Sequence, residues 1–144
     1  MVYLIGGGVK MKIIVCVDKK NGMLFNFRRQ SQDSEILKRI SEMSKNTKLW
    51  MNDYSAKLFD DSDNICVSEN FLHEAGNGEY CFIENIVIPT NGIEEVILYK
   101  WNRNYPADTF FDFDFKNNGF KKLNSTDFAG NSHEKITEEI YVKK

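Results

Sequence analysis

The run of side chains best equipped for chemistry is Phe25–Asp33, FNFRRQSQD. It sets Arg28 beside Arg29, followed by Gln30, Ser31, Gln32 and the acid Asp33, in a chain with only four arginines against fifteen lysines. A stretch with helical spacing follows, so the run leads into a helix N-terminus, where free N–H groups and the macrodipole favour anions. Guanidinium forks bind carboxylate or phosphate bidentately. The run reads either as an anion-recognising loop using Arg28, Arg29, Gln30 and Ser31, or as a solvated loop whose arginines pair with Asp33 or with the acidic run Asp60–Asp63. Asp33 is either a general base with a pKa raised by burial or the N-cap of the following helix.

Other residues carry weaker signals. Trp101-Asn102-Arg103 closes an apolar run and precedes Tyr105-Pro106. Arg103 at a strand end reaches a ligand or an acid in Asp112–Asp114, while Trp101 stacks on a planar ligand or packs into the core. His133 stands between Ser132 and Glu134, but a nucleophile triad needs convergence in space rather than adjacency, so a turn or strand-start role is expected. His73 carries less. Phe110–Phe115, FFDFDF, alternates aromatic and acidic residues. It reads as a core-facing edge or an interaction strip, and since edge strands pair with other chains it leaves a homodimer open.

Composition narrows the function. A net charge of −2 over 144 residues provides no basic field for nucleic acid. No apolar run reaches the length of a membrane helix. Met1–Lys10 lacks the basic start and apolar core of a secretion signal. Cys16, Cys66 and Cys81 each lie in an apolar run and read as free thiols of a reducing cytosol. Their spacing does not suggest a metal site. A cytoplasmic protein is expected, without metal and from an AT-rich, bacterial genome. The sequon Asn124-Ser125-Thr126 means little without secretion.

The elements that must position these residues follow from periodicity. Lys12–Val17 is a continuous apolar run, as in a strand buried on both faces. Asn21-Gly22 signals a turn, and Met23–Gln32 reads as irregular. Asp33–Lys45 places Ile36, Leu37, Ile40 and Met43 on one helix face. Lys48–Met51, Asn64–Val67, Tyr80–Ile83 and Glu95–Trp101 read as strands, with short helical segments at Tyr54–Phe59 and Glu69–Ala75. Phe120–Leu123 and Lys135–Val142 read as a closing antiparallel pair. Helices alternate with strands early and strands follow one another late, which predicts an α/β sandwich: a mainly parallel central sheet with an antiparallel C-terminal edge.

Residues 1–10 are expected to be a leader, and 11–144 one domain. Ile5-Gly6-Gly7 can be encoded ATA-GGA-GGT, containing the ribosome-binding sequence AGGAGG shortly before Met11. The alternative is an added edge strand at Val2–Ile5.

From Met11 onward the order and spacing of elements resemble dihydrofolate reductase. KIIVCVD followed by Asn21-Gly22 resembles that family's first strand and mobile loop. Asp33 with Leu37 resembles the acid and apolar pair opening its first helix. Leu49–Asn52 resembles its second strand, Asn64–Val67 its third, and Ala107–Phe111, ADTFF, its most specific local segment. The resemblance implies a three-layer fold and gives Asp33 the place of the acid that binds and helps protonate the pterin ring. It also marks departures. Glu84-Asn85 stands where the family places two glycines that let the backbone approach the cofactor diphosphate. Asn52-Asp53-Tyr54-Ser55 replaces a basic phosphate-holding segment, with only the Ser55 hydroxyl comparable. Asp61–Asp63 falls near the place of the cation for the folate tail, Phe27–Gln30 replaces the stretch before the acid, and Lys100 falls where a threonine backs that acid.

These departures predict a degenerate reductase fold that binds no NADPH cofactor and acts as a binding or interaction module. It would recognise a small anionic ligand or a protein partner through Arg28, Arg29, Gln30, Ser31, Tyr54, Ser55 and Arg103. The alternative is an enzyme of altered chemistry, with Asp33, the arginines and His133 acting on a phosphate- or carboxylate-bearing molecule. A residual NADPH-dependent reductase is the second alternative.

Overall fold

The computed structural model describes residues 9–144. In chain order the elements are β1 (Met11–Val17), β2 (Gly22–Phe25), β3 (Arg28–Arg29), α1 (Ser34–Ser44), β4 (Leu49–Met51), α2 (Asp53–Ala56), β5 (Ile65–Val67), α3 (Phe71–Glu74), β6 (Tyr80–Phe82), β7 (Ile93–Lys100), β8 (Thr109–Phe110), β9 (Phe120–Phe128) and β10 (Ile136–Lys143). Seven strands form one sheet in the order β5-β4-β6-β1-β7-β10-β9. The first five of that order run parallel, and β10 is antiparallel to both β7 and β9. The expected sheet, mainly parallel with an antiparallel C-terminal edge, is the one formed.

The apolar run of β1 explains its place near the middle. Successive side chains point to opposite faces, so Ile13, Val15 and Val17 join one core with Phe71, Cys81, Val96 and Leu98. Ile14 enters the other, with Ile36 and Ile40 of α1 and Leu49, Met51, Phe82, Ile97 and Tyr99. α1 covers one face, and the one-turn α3 together with Met23, Leu24, Phe111 and Phe113 covers the other, which makes the three layers. Among the described residues no helix is long and apolar enough to cross a membrane.

Two local expectations change, and the structure decides a third between its alternatives. Met23–Gln32 is not irregular: β2 pairs with β3 and β8 in a small antiparallel sheet. Its hairpin turns at Asn26 and Phe27, with φ of +52° and +64°, the two positive angles of a type I′ turn. No Asn-Gly or Asp-Gly pair announces that turn. The strand beginning at Phe120 runs on to Phe128. The alternation of Phe110–Phe115 mostly faces inward: Phe111 and Phe113 are buried, Asp112 and Asp114 are exposed, and Phe115 stacks on Tyr141 at 3.7 Å. Only Phe110 is left for an interaction strip. The leader expectation for residues 1–10 falls almost entirely outside the described residues.

Two adjacent acids of β10 are buried on opposite faces. Glu138 accepts from Tyr99 Oη at 2.7 Å and from Arg39 Nε and Nη2, each at 3.1 Å. Glu139 pairs with Lys100 at 3.1 Å and Lys122 at 2.9 Å. Lys100 is therefore spent on the antiparallel edge and does not back Asp33.

Replacing Ile97, fully buried between β1 and β10, with alanine removes core volume that the rigid strands cannot refill. Ile97→Ala is expected to cost roughly 2–5 kcal/mol, read as a lower urea midpoint with an unchanged slope.

Candidate functional site

The polar side chains converge at one edge of the sheet. Asp18 follows β1, Asn52 follows β4, Glu84 lies just past β6 and Trp101 follows β7. These are the carboxyl ends of the parallel strands, where open α/β sheets place their ligands. The N-terminus of α1 and the turn between β9 and β10 reach the same edge.

Asp33 is the centre of the first cluster. Its carboxylate is fully buried and accepts from Glu35 N at 2.9 Å, Asn131 N at 2.8 Å, Ser132 N at 2.8 Å and Ser132 Oγ at 3.2 Å. His133 Nδ1 lies 2.8 Å from Asp33 Oδ2. Burial alone would raise the acid's pKa, but the Asn131 N–H, His133, and the N–H groups of Ser132 and Glu35 outweigh it and hold the group well below the usual carboxylate range. An ionised acceptor at Nδ1 fixes the proton there, which leaves Nε2 to the opposite side. Ser31 Oγ lies 3.1 Å from Nε2, and Tyr105 Oη 3.0 Å. Trp101 stacks on the imidazole at 4.7 Å, inclined by 26°.

Arg29 is the centre of the second cluster. It forms a fork with Glu84, Nε to Oε2 at 2.8 Å and Nη2 to Oε1 at 3.0 Å. Its guanidinium lies 4.3 Å from the Tyr54 ring centre, and its backbone N–H donates to Tyr54 Oη at 3.0 Å. Ser55 Oγ also donates to Glu84 at 2.7 Å, and Asn52 Nδ2 donates to Asn85 at 2.7 Å.

Gln30 lies between the clusters. Its Nε2 donates to Asp18 Oδ2 at 2.9 Å and Pro106 O at 3.3 Å, while its buried Oε1 has no donor among the described residues. Ser31, Gln30, Arg29, Glu84, Cys16 and Trp101 line a cavity of about 10 Å³, about the least that one water needs. A larger open groove of about 700 Å³ starts at Ser34 and runs over Leu37, Leu49, Leu58 and Phe59, with Lys38 and Lys45 on one side and Asp60 and Asp61 on the other.

The residues singled out in sequence thus sort into separate places. Arg29, Gln30, Ser31, Asp33, Tyr54 and Ser55 do converge. Arg28 is exposed on the hairpin and Arg103 is exposed, its Nη2 3.3 Å from Ser132 O. Arg29 pairs with neither Asp33 nor Asp60–Asp63; Glu84 takes it. Of the two readings of Asp33, the general base with a raised pKa is overturned, because five donors surround the carboxylate and lower it, and the N-cap role stands. Trp101 is buried, against His133 rather than open to a ligand. His133 was the residue that sequence reasoning undervalued, since its partners lie 100 and 102 positions away. The thiols are free, Cys16 and Cys66 only half-buried, and burial pushes Cys81 up to about 12. Among the described residues no three His, Cys, Asp or Glu side chains gather as metal ligands.

A depressed folded pKa supplies stability that is complete above the unfolded value near 3.9 and is lost as pH falls toward the folded one. Asp33→Asn is expected to lower stability at pH 7 by roughly 3–5 kcal/mol. Its deficit against the parent chain shrinks as pH drops below about 4, checked by urea unfolding across pH. Gly130→Ala tests the same clamp from outside, since a Cβ there would lie 2.5 Å from Asp33 Oδ2 and 2.7 Å from Ile136 Cδ1. A cost of roughly 1–3 kcal/mol is expected in the same unfolding assay.

No family model matches the chain, and no curated protein matches it in sequence. Among solved structures it is similar to dihydrofolate reductase from Enterococcus faecalis complexed with NADP(H) and RAB-propyl, with a TM-score of 0.65, 10% sequence identity, and coverage of 94% of this chain and 96% of that one. The likeness establishes that this chain has a dihydrofolate reductase-like fold.

Proposed function

We propose that the chain is a binding or interaction module on a reductase fold, rather than an NADPH-dependent folate reductase, and that it meets a protein partner through the β2–β3 hairpin. The observation that carries this reading is Phe27, 89% exposed with a φ of +64°. A side chain with a Cβ costs about 1–2 kcal/mol in this left-handed region, and the turn type favours glycine there. Among the described residues burial does not compensate, and a contact with a partner would account for an aromatic residue here. Phe25 and Phe110, about half exposed, lie on the same small sheet, and Arg28 is exposed beside them. Aromatic anchors with an arginine suit the centre of a protein interface.

Two further observations support the negative half. Glu84, where the resemblance expects a glycine backbone to approach a diphosphate, carries a carboxylate held by Arg29 and Ser55. Asp53 adds an exposed acid at the start of α2. These residues do not fit a dinucleotide diphosphate. The small-anion version of the module is weakened for the same reason, because Glu84 already neutralises Arg29. An enzyme of altered chemistry is the second reading, favoured by the line of Asp33, His133 and Ser31. A residual NADPH-dependent reductase has the least support.

In a thermal-shift assay, NADPH and folates are expected to leave the melting temperature unchanged; a rise at micromolar NADPH would overturn the negative half. Phe27→Gly relieves the turn and is expected to stabilise the free protein by roughly 1 kcal/mol, a rise of about 4 °C. The same change should weaken capture of the partner. Unchanged capture by Phe27→Gly and by Arg28→Glu would remove the hairpin from the interface.

A further inference from the structure

We propose that Ser31 is a nucleophile, activated by His133 and Asp33, that takes an acyl group from small carboxylic esters. The inference rests on the second, enzymatic reading and is independent of the hairpin surface. His133, a hundred positions on, joins Asp33 and Ser31 in one line: Asp33 Oδ2 to His133 Nδ1 at 2.8 Å, and His133 Nε2 to Ser31 Oγ at 3.1 Å. Both contacts fall in the range expected of a nucleophile, its base and the group that orients the base. The parts of the line are held in place. Four donors besides His133 pin the carboxylate, and Trp101 sets the plane of the imidazole. The backbone around Asp33 therefore fixes which ring nitrogen faces the serine, the task the acid performs in such a triad.

Ser31 lies beside a small polar cavity, and an apolar groove begins farther along the chain. Its side is half-buried, between solvent and the small cavity. Gln30 lines that cavity, and its Oε1 is a buried acceptor without a donor among the described residues. The amide cannot turn away without losing Asp18 and Pro106. The groove that begins at Ser34, three residues along and not lined by Ser31 itself, has Leu37, Leu58 and Phe59 on its wall, an apolar surface for an acyl or aryl body.

The balance of the step is simple. Ser31 Oγ bonds to the ester carbonyl carbon as its proton passes to His133 Nε2. Collapse of the adduct breaks the bond to the leaving oxygen, which departs as an alcohol with that proton and leaves an acyl-serine. Water then gives a proton to Nε2 and its oxygen to the acyl carbon, and the acid leaves as Ser31 Oγ recovers the proton. Tyr105 Oη competes with Ser31 for the single acceptor site of Nε2, so Tyr105→Phe is expected to speed the reaction.

The experiment treats the full chain with a fluorophosphonate probe and with 4-nitrophenyl acetate. A single adduct mapping to Ser31 is expected, together with ester turnover that Ser31→Ala lowers by about 100-fold. Ser31→Cys guards against a folding defect: it should alkylate with iodoacetamide faster than the half-buried Cys66. Absence of a Ser31 adduct together with alkylation of Ser31→Cys no faster than Cys66 overturns the proposal. Ester turnover that Ser31→Ala leaves intact also overturns it, while leaving the enzymatic reading standing on other residues.

Discussion

The burial of one ionised carboxylate, Asp33, is the constraint on which the site depends. A charge removed from water must be met by donors or it destabilises the fold by several kcal/mol. Here the donors come from two distant segments, the first turn of α1 and the turn before β10. Meeting the charge therefore docks the C-terminal hairpin against the helix, sets His133 upright between them and decides which side of its ring faces Ser31. Gly130 belongs to the same constraint, because its missing side chain makes room for the carboxylate.

The second cluster obeys the same rule with a different result. Arg29 and Glu84 satisfy each other, and Tyr54 and Ser55 complete the pair. A fork closed in this way fills the edge of the sheet where a ligand would otherwise enter. A reductase-like fold does not by itself carry reductase chemistry: the scaffold depends on the two cores and the strand order, while the chemistry depends on which side chains stand at the strand ends.

Most of the fold was legible because it is written in local patterns. The apolar run of β1 announces an inner strand, and the spacing of Ile36 and Ile40 announces the buried face of α1. The β2–β3 hairpin was not legible, because its turn places Phe27 at an angle that glycine normally takes, and no propensity rule expects that. The site was half legible. Arg29, Gln30, Ser31 and Asp33 draw notice as a dense polar run, and Tyr54 and Ser55 through the resemblance. The bonds Arg29 to Glu84 and Asp33 to His133 span 55 and 100 residues, and such pairings are decided by topology. An acid near a histidine in space leaves no mark on either one's sequence neighbours.

The order of strands also bears on how the chain fails. β10 closes the described chain, yet it lies inside the sheet, between β7 and β9. A product of premature termination or proteolysis lacking 136–143 would keep β9 detached and β7 with an open side. Val96 and Leu98 of β7 would still carry their apolar face beside that unpaired backbone, a template for strand addition by another molecule. Loss of β10 is thus expected to yield aggregates rather than a smaller folded protein.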